Sequence, residues 1–121
     1  MTIALWITAV LLSLAYLATG VMKVVRSREQ LQPQLLWVTD AATWQVKTIG
    51  VLEVLGSAGV LLPLATGIAP VLTAISAFCL ALIQVFAIPV HLRIHDRRAV
   101  PLNVVLLLLA LVVAVLRLRT L

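Results

Sequence analysis

Four long apolar stretches divide the chain, at about residues 3–23, 42–64, 70–92 and 100–118. A bilayer core of about 30 Å needs about 20 consecutive apolar residues in a helix, so each stretch is long enough for one membrane span. The pattern therefore predicts an all-α fold, a polytopic membrane four-helix bundle. We expect residues 1–121 to form a single transmembrane domain.

The segment between the first and second spans is too short and too polar to cross the membrane. It mixes charged residues with leucines, contains Pro33, and places Trp37 beside apolar neighbours. Tryptophan in such a setting is typical of the headgroup zone. We predict a short interfacial segment here. Farther along, Pro63, Gly67 and Pro70 indicate the turn between the second and third spans.

Composition excludes a soluble domain. The chain is 64% hydrophobic and 11% charged, whereas soluble domains are roughly 45–50% apolar and 25% charged. The net charge of +5 comes from basic residues that lie between and after the apolar stretches and form no continuous basic stripe. We therefore expect the lipid bilayer, and no nucleic acid, as a partner.

The basic residues predict how the bundle is oriented. Most of them lie in or beside the first and third connections, namely Lys23, Arg26, Arg28, Lys47, Arg93, Arg97 and Arg98. Only Arg117 and Arg119 lie at the other side. Because positive residues favour the cytoplasmic side, we expect loops 24–41 and 93–99 in the cytoplasm and both termini outside. The bacterial inner membrane is the expected location.

A lone carboxylate, Glu53, lies near the middle of the second span. A charge at that depth costs at least ~2.5 kcal/mol, so it should face protein and is by default a candidate functional group. Gly50 and Gly56 lie about one helical turn before and after it, and small residues of this kind let another helix approach closely. We expect Glu53 to lie in the packed seam of the bundle.

Several other polar residues reach similar depths in the predicted spans. At about 1.5 Å per residue, Tyr16 and Gln84 lie near the level of Glu53. These positions predict a polar pocket with Glu53 at its floor and with Lys23 and His91 toward its cytoplasmic mouth. The candidate catalytic residues are Glu53 and His91, and the candidate substrate-binding residues are Tyr16, Lys23, Trp44 and Gln84.

Most of these residues also have a structural interpretation. Lysines and histidines near helix ends commonly anchor a helix at the interface, and Gln84 is able to bond between helices. Two histidines without matching carboxylates predict no metal site. The single cysteine, Cys79, permits no internal disulfide and is expected to be a small buried hydrophobe. Apart from Asn103, the fourth span has no polar side chain before Arg117, which predicts the broadest contact with lipid.

The pattern resembles the DoxX and DoxX-like family of small four-helix membrane proteins. The features that carry the resemblance are Gly20-Val21-Met22-Lys23, Gly50-Val51-Leu52-Glu53 with Gly56, Leu61-Leu62-Pro63, Pro70, His91 and Pro101. The resemblance implies a four-helix bundle with emphasis on Lys23 and Glu53. Some relatives are associated with thiosulfate- or quinone-linked redox systems, and distant ones act as membrane assembly factors. The single cysteine and the lack of evident cofactor ligands depart from a redox enzyme.

Three functions fit these observations. The first is binding of a hydrophobic small molecule, quinone- or isoprenoid-like, with Glu53 as acid or base in an isomerisation, cyclisation or hydrolysis, or a role as a redox-linked accessory subunit. The second is a scaffold or assembly factor that recruits a membrane or soluble partner protein. The third is a small proton-coupled exporter, which is disfavoured because the acidic residue lies in the second span. The sequence identifies no cofactor, although a quinone fits, and a homodimer is compatible with so thin a bundle.

Overall fold

The computed structural model describes residues 2–26, 43–93 and 99–121. These residues form four helices: α1 (Thr2–Val25), α2 (Thr43–Thr66), α3 (Val71–Arg93) and α4 (Ala99–Thr120). Each helix is long and apolar enough to cross a membrane. The predicted all-α four-helix membrane bundle is thus confirmed. The predicted interfacial segment between the first two helices lies outside the described residues, as does most of the 93–99 loop.

The four helices form a closed ring in which neighbours run antiparallel. α1 packs mainly along α2, and α3 packs mainly along α4, while smaller contacts between α2 and α3 and between α1 and α4 close the ring. The register is visible in side-chain hydrogen bonds between helices. Ser13 Oγ donates to Ser57 O at 3.3 Å, and Thr73 Oγ1 donates to Val60 O at 2.9 Å. Because neighbours are antiparallel, the ends of α1 and α3 share one side of the bundle with the starts of α2 and α4.

A narrow apolar core lies on the ring axis, away from the side of the bundle where α1 ends and α2 begins. Its residues recur every three to four positions along α1, α3 and α4, as the helical period requires. They include Leu5, Ala9, Leu12, Ala77, Leu80, Ala110 and Val113, with Val60 from α2. The outward faces carry exposed leucine, valine, isoleucine and phenylalanine. Lipid tails are as apolar as these side chains, so they need no protein cover.

Cys79 and the outward face of α4 differ from what their sequence patterns predict. Cys79 is exposed, so its predicted burial is wrong. It falls between the buried Ala77 and Leu80, off the stripe by which α3 faces its neighbours. The fourth helix and α2 share the lowest burial, 28% of each membrane window against 33% for α1 and α3, so α4 has an outward face as broad as that of α2 and not broader.

The α2–α3 connection is a tight turn. Gly67 has a φ of 73°, and its amide donates to Pro63 O at 2.9 Å, which closes the end of α2. Ala69 also has a positive φ of 48°, which is an uncommon conformation for a residue with a Cβ. Gly67 and Pro70 therefore mark the turn as predicted, whereas Pro63 lies inside the last turn of α2.

Candidate ligand-binding site

The carboxylate of Glu53 is sheltered inside the bundle, as its cost in lipid predicts. Only 2% of the residue is exposed. Lys23 of α1 forms a salt bridge with Oε1, and the Thr19 hydroxyl donates a hydrogen bond to Oε2. Both carboxylate oxygens therefore have a donor from α1, and the charge of Glu53 is neutralised within the protein.

A close contact between two helices explains why these side chains meet. A Cβ atom placed on Gly20 would lie 2.8 Å from Gly50 O, and one placed on Gly50 would lie 2.8 Å from Lys23 Cβ. The backbones of α1 and α2 thus approach more closely here than a larger residue would allow. Lys23 and Glu53 each follow one of these glycines by three residues, which places them together beside the contact.

Gly56, the other glycine predicted to flank Glu53 in the seam, faces a different neighbour. A Cβ atom at this position would lie 2.5 Å from Leu80 Cδ2 of α3. The second helix therefore uses Gly50 to approach α1 and Gly56 to accommodate a side chain of α3. Glu53 lies between these two contacts, near the middle of the helix.

A second polar group joins α1 to α3 across the centre of the bundle. The buried Tyr16 hydroxyl donates to Leu80 O at 2.9 Å and accepts a hydrogen bond from Gln84 Nε2 at 2.7 Å. This link lies at the boundary between the apolar core and the polar groups around Glu53. It gives Tyr16 a defined structural role in holding Gln84 in place.

A cavity of about 390 Å³ opens beside Glu53, and all four helices contribute to its wall. Its polar lining consists of Thr19, Lys23, Glu53, Gln84, His91 and Asn103. Aliphatic residues and Phe86 form the remainder. The cavity occupies the half of the bundle that contains the ends of α1 and α3 and the starts of α2 and α4.

Part of the cavity rim faces outward, where lipid would surround the bundle. Leu52, Phe86 and Leu102 line the cavity and are 50%, 72% and 56% exposed. They come from α2, α3 and α4. An apolar chain could therefore extend from the cavity into the bilayer between these side chains.

Two residues that line the cavity each carry a buried polar atom without a partner. Among the described residues, Gln84 Oε1 and Asn103 Nδ2 are the buried side-chain atoms without a hydrogen-bond partner. One is an acceptor and the other is a donor. A buried polar atom that lacks a partner destabilises the fold by about 1–3 kcal/mol, so each such atom calls for an explanation.

The structure brings together four of the six predicted site residues. Lys23, Glu53, Gln84 and His91 line the cavity, and Tyr16 adjoins it through Gln84. Trp44 lies at the start of α2, is 68% exposed and is not among the lining residues. Its position suits the membrane interface better than a binding pocket.

Two polar residues of the lining, Thr19 and Asn103, were not predicted from the sequence as site residues. Thr19 lies three residues after Tyr16 and four before Lys23, a spacing that places it near their face of α1. Asn103 was the only polar side chain of its span before the arginines, and a polar residue within a membrane span is itself a signal. Within the described residues, no group of three or more His, Cys, Asp or Glu side chains is placed to hold a metal ion.

Comparison with known proteins adds one finding. The sequence model of the DoxX-like family matches residues 7–113, which include the whole of the cavity lining. No curated protein matches the chain, and no solved structure matches it.

Proposed function

Because the chain belongs to the DoxX-like family and is a small integral membrane protein with four apolar helices, we propose that it binds a hydrophobic small molecule beside Glu53. The observation that carries this proposal is the cavity of about 390 Å³, whose mostly apolar wall includes the polar side chains of Glu53, Gln84 and Asn103. Binding pockets for small molecules are commonly about 300–1,000 Å³, mostly apolar, with a few placed polar groups.

The shape and lining of the cavity support a ligand with a compact polar head and an apolar tail. The head would lie among Glu53, Gln84 and Asn103, and the tail would leave between Leu52 and Phe86 toward lipid. Quinone-like and isoprenoid-like molecules have this division. The volume is at the low end of the usual range, which favours a head no larger than one ring.

Two groups in the lining are suited to proton exchange with a bound head. Glu53 and His91 both line the cavity, and carboxylates and imidazoles are the usual general acids and bases. In the proposed function they are the candidate catalytic residues. A Glu53→Gln variant keeps the size and hydrogen bonding of the side chain but removes its acid–base function. If this variant folds and keeps full binding and turnover, the proposed role of Glu53 is wrong.

The experiment that tests binding uses the thermal unfolding of the purified protein in phospholipid nanodiscs. The probes are decyl-benzoquinone and farnesol. A ligand that binds only the folded state stabilises it by about 2.7 kcal/mol at 100 times its Kd, so one of these probes should raise the Tm. Ala87→Phe places a ring in the cavity wall, and Leu82→Phe places the same ring on the exposed face of α3.

We expect the Tm shift to disappear in Ala87→Phe and to persist in Leu82→Phe. Equal shifts in the two variants would show that the probe acts through the lipid or the outer surface, and no shift in the unmodified protein would contradict the choice of ligand.

Purification of the protein in mild detergent tests the alternative function. A stoichiometric partner protein, recovered without any small molecule, would favour the assembly-factor role instead.

We also propose a bacterial inner-membrane location with both termini outside. The placement of basic residues supports the sidedness, because Lys23, Lys47 and Arg93 all lie at the cavity end of the bundle. Lys47 is held there by hydrogen bonds to Val24 O at 2.8 Å and Arg26 O at 2.5 Å. At the opposite end, Arg117 Nε donates to Pro70 O at 3.2 Å. In a Cys79→Ser background, Leu121→Cys should react with a membrane-impermeant maleimide added outside intact cells. Reaction only after lysis would reverse the orientation.

A further inference from the structure

The face of α2 that meets α3 changes from small to large residues toward the cavity. A Cβ atom added to Gly59 would overlap Ser76 Oγ of α3. One added to Gly56 would lie 2.5 Å from Leu80 Cδ2, also of α3. Leu52 lies on the same face of α2, one helical turn before Gly56. The two helices therefore pack closely at the glycines, and the larger Leu52 takes their place on the cavity side.

The matching face of α3 becomes part of the cavity wall beyond Leu80. Ile83 and Ala87 follow Leu80 at helical spacing, so they stay on the side that meets α2, and both line the cavity and are only partly buried. Because α2 and α3 run antiparallel, the contact of Gly56 with Leu80 sets Leu52 near the level of Ile83. Leu52 also lines the cavity and is 50% exposed. We call this gap, bounded by Leu52, Ile83 and Ala87, the lateral opening.

The other edges of the cavity differ from the lateral opening. α1 and α2 are in close contact at Gly20 and Gly50, and α3 packs mainly along α4. α1 lines the cavity through Thr19 and Lys23, whose side chains both donate to Glu53. The edge of the cavity at α1 is therefore polar, whereas its edge at the lateral opening is apolar and faces the lipid.

The lateral opening lies among the acyl chains of one leaflet. Leu52 is about 13 Å from Thr43, where α2 begins, at about 1.5 Å per residue. α2 is long enough to cross the membrane, whose hydrocarbon core is about 30 Å thick, so the headgroups lie near its start. A charged head brought from there to the lateral opening would lose its water, at a high cost in free energy.

We infer that the cavity takes an uncharged lipid from the surrounding leaflet and that the tail of this lipid lies in the lateral opening beside Leu52. The inference rests on the proposed binding function and specifies how the ligand enters the site. A molecule that dissolves in hydrocarbon reaches the lateral opening without crossing the headgroups. Its polar group then lies in the cavity, while its tail stays between α2 and α3. Leu52 thus determines which tails the site accepts.

Three probes built on one ring separate the tail from the head. para-Octylphenol carries a long tail, para-ethylphenol has the same head with a short one, and para-octylphenyl phosphate keeps the long tail but has a charged head. Dissociation constants are measured on protein in phospholipid nanodiscs, with empty nanodiscs subtracted. They are expressed as the mole fraction of probe in the lipid, so that partition into lipid cancels. Ala87→Phe protein serves as the blocked-cavity control.

Four variants test where the tail lies. Leu52→Trp narrows the lateral opening, and Leu52→Phe is a milder form for use if the larger ring prevents folding. Leu102→Trp places the ring at the exposed cavity rim of α4, which tests a different exit. Leu55→Trp places it on α2 outside the cavity lining, at a residue that is 62% exposed.

We expect the unmodified protein to bind both phenols and to reject the phosphate. Leu52→Trp should weaken para-octylphenol about tenfold, as overpacking of the lateral opening predicts. It should leave para-ethylphenol unchanged, because the head still fits the cavity, and this retained binding also shows that the variant is folded. Leu102→Trp and Leu55→Trp should not alter the ratio of the two phenol affinities.

The inference is overturned if narrowing the lateral opening leaves that ratio unchanged, or if the ratio changes in Leu102→Trp instead. Binding of para-octylphenyl phosphate as tightly as para-octylphenol would also overturn it. Each of these results would leave the cavity as a binding site. By contrast, if neither phenol binds the unmodified protein better than Ala87→Phe, the proposed function itself fails and the inference falls with it.

Discussion

Replacing Lys23 with methionine removes the cation that neutralises Glu53, and we expect this change to destabilise the bundle by about 3–5 kcal/mol. Glu53 is only 2% exposed, so the carboxylate has little contact with solvent that could replace the lost partner. Thr19 continues to donate to Oε2, but a hydroxyl carries no charge. The remaining carboxylate is then a buried ion without compensation, which accounts for the large expected cost.

Removing the anion instead of the cation, by Glu53→Gln, should destabilise the bundle less. In this variant the amide oxygen still accepts the hydrogen bond from Thr19. The Lys23 side chain is 11% exposed, and the residue lies close to the end of α1. A lysine in that position can extend toward the interface. We expect a loss of about 1–3 kcal/mol. The double variant has no buried charge, so it should be more stable than Lys23→Met alone.

A double-mutant cycle on these variants measures the coupling between the two side chains. Equilibrium unfolding in mixed micelles with a rising fraction of SDS, followed by circular dichroism, provides the free energies. Lys47→Met is the matched control, because Lys47 lies at the same end of the bundle but binds backbone carbonyls; its loss should cost about 1 kcal/mol or less. The reasoning fails if Lys23→Met costs no more than this control, or if the two changes are additive.

Three further changes test other parts of the structure in the same unfolding assay. Gly50→Ala should cost about 1–3 kcal/mol because the new methyl group meets the backbone of α1. Gly56→Ala meets only side-chain atoms of Leu80, which can shift without moving a helix, and should cost less; equal costs would contradict the close-contact argument. Ala69→Gly should stabilise the turn by about 0.5 kcal/mol by relieving a positive φ, and a loss of stability would show that this conformation is not strained. Asn103→Leu should stabilise the ligand-free protein by about 1 kcal/mol, since it removes an unpartnered donor; destabilisation would indicate that the amide is already satisfied.

The sheltered carboxylate could be predicted from sequence because its physical cause is local. A charge in the middle of an apolar span has a high cost wherever the helix lies, so Glu53 had to face protein. Because consecutive spans run antiparallel, the ends of the first and third helices lie on the same side of the bundle, which brings Lys23, Gln84 and His91 to that side. These arguments need only depth along each helix, which the sequence provides.

The rotation of each helix about its own axis could not be predicted in the same way. In water an apolar stripe indicates the buried face, but leucines are equally stable against lipid and against protein. For that reason α4, whose sequence is almost uniformly apolar, gave no sign that Ala110 and Val113 face inward. The same uncertainty led to the wrong prediction for Cys79. Trp44 was predicted to belong to the site because of its residue type alone, since no helical spacing relates it to the other candidate residues.

The hydrogen bond between Tyr16 and Leu80 affects whether a small molecule can pass through the bundle. On one side of it lies the cavity, and on the other lie the packed side chains of Leu12, Val60 and Val113. The packed core therefore blocks a molecule at Glu53 from passing farther through the bundle. Under the proposed function, it must leave through the opening by which it entered, so the packed core separates a bound ligand from the other half of the membrane.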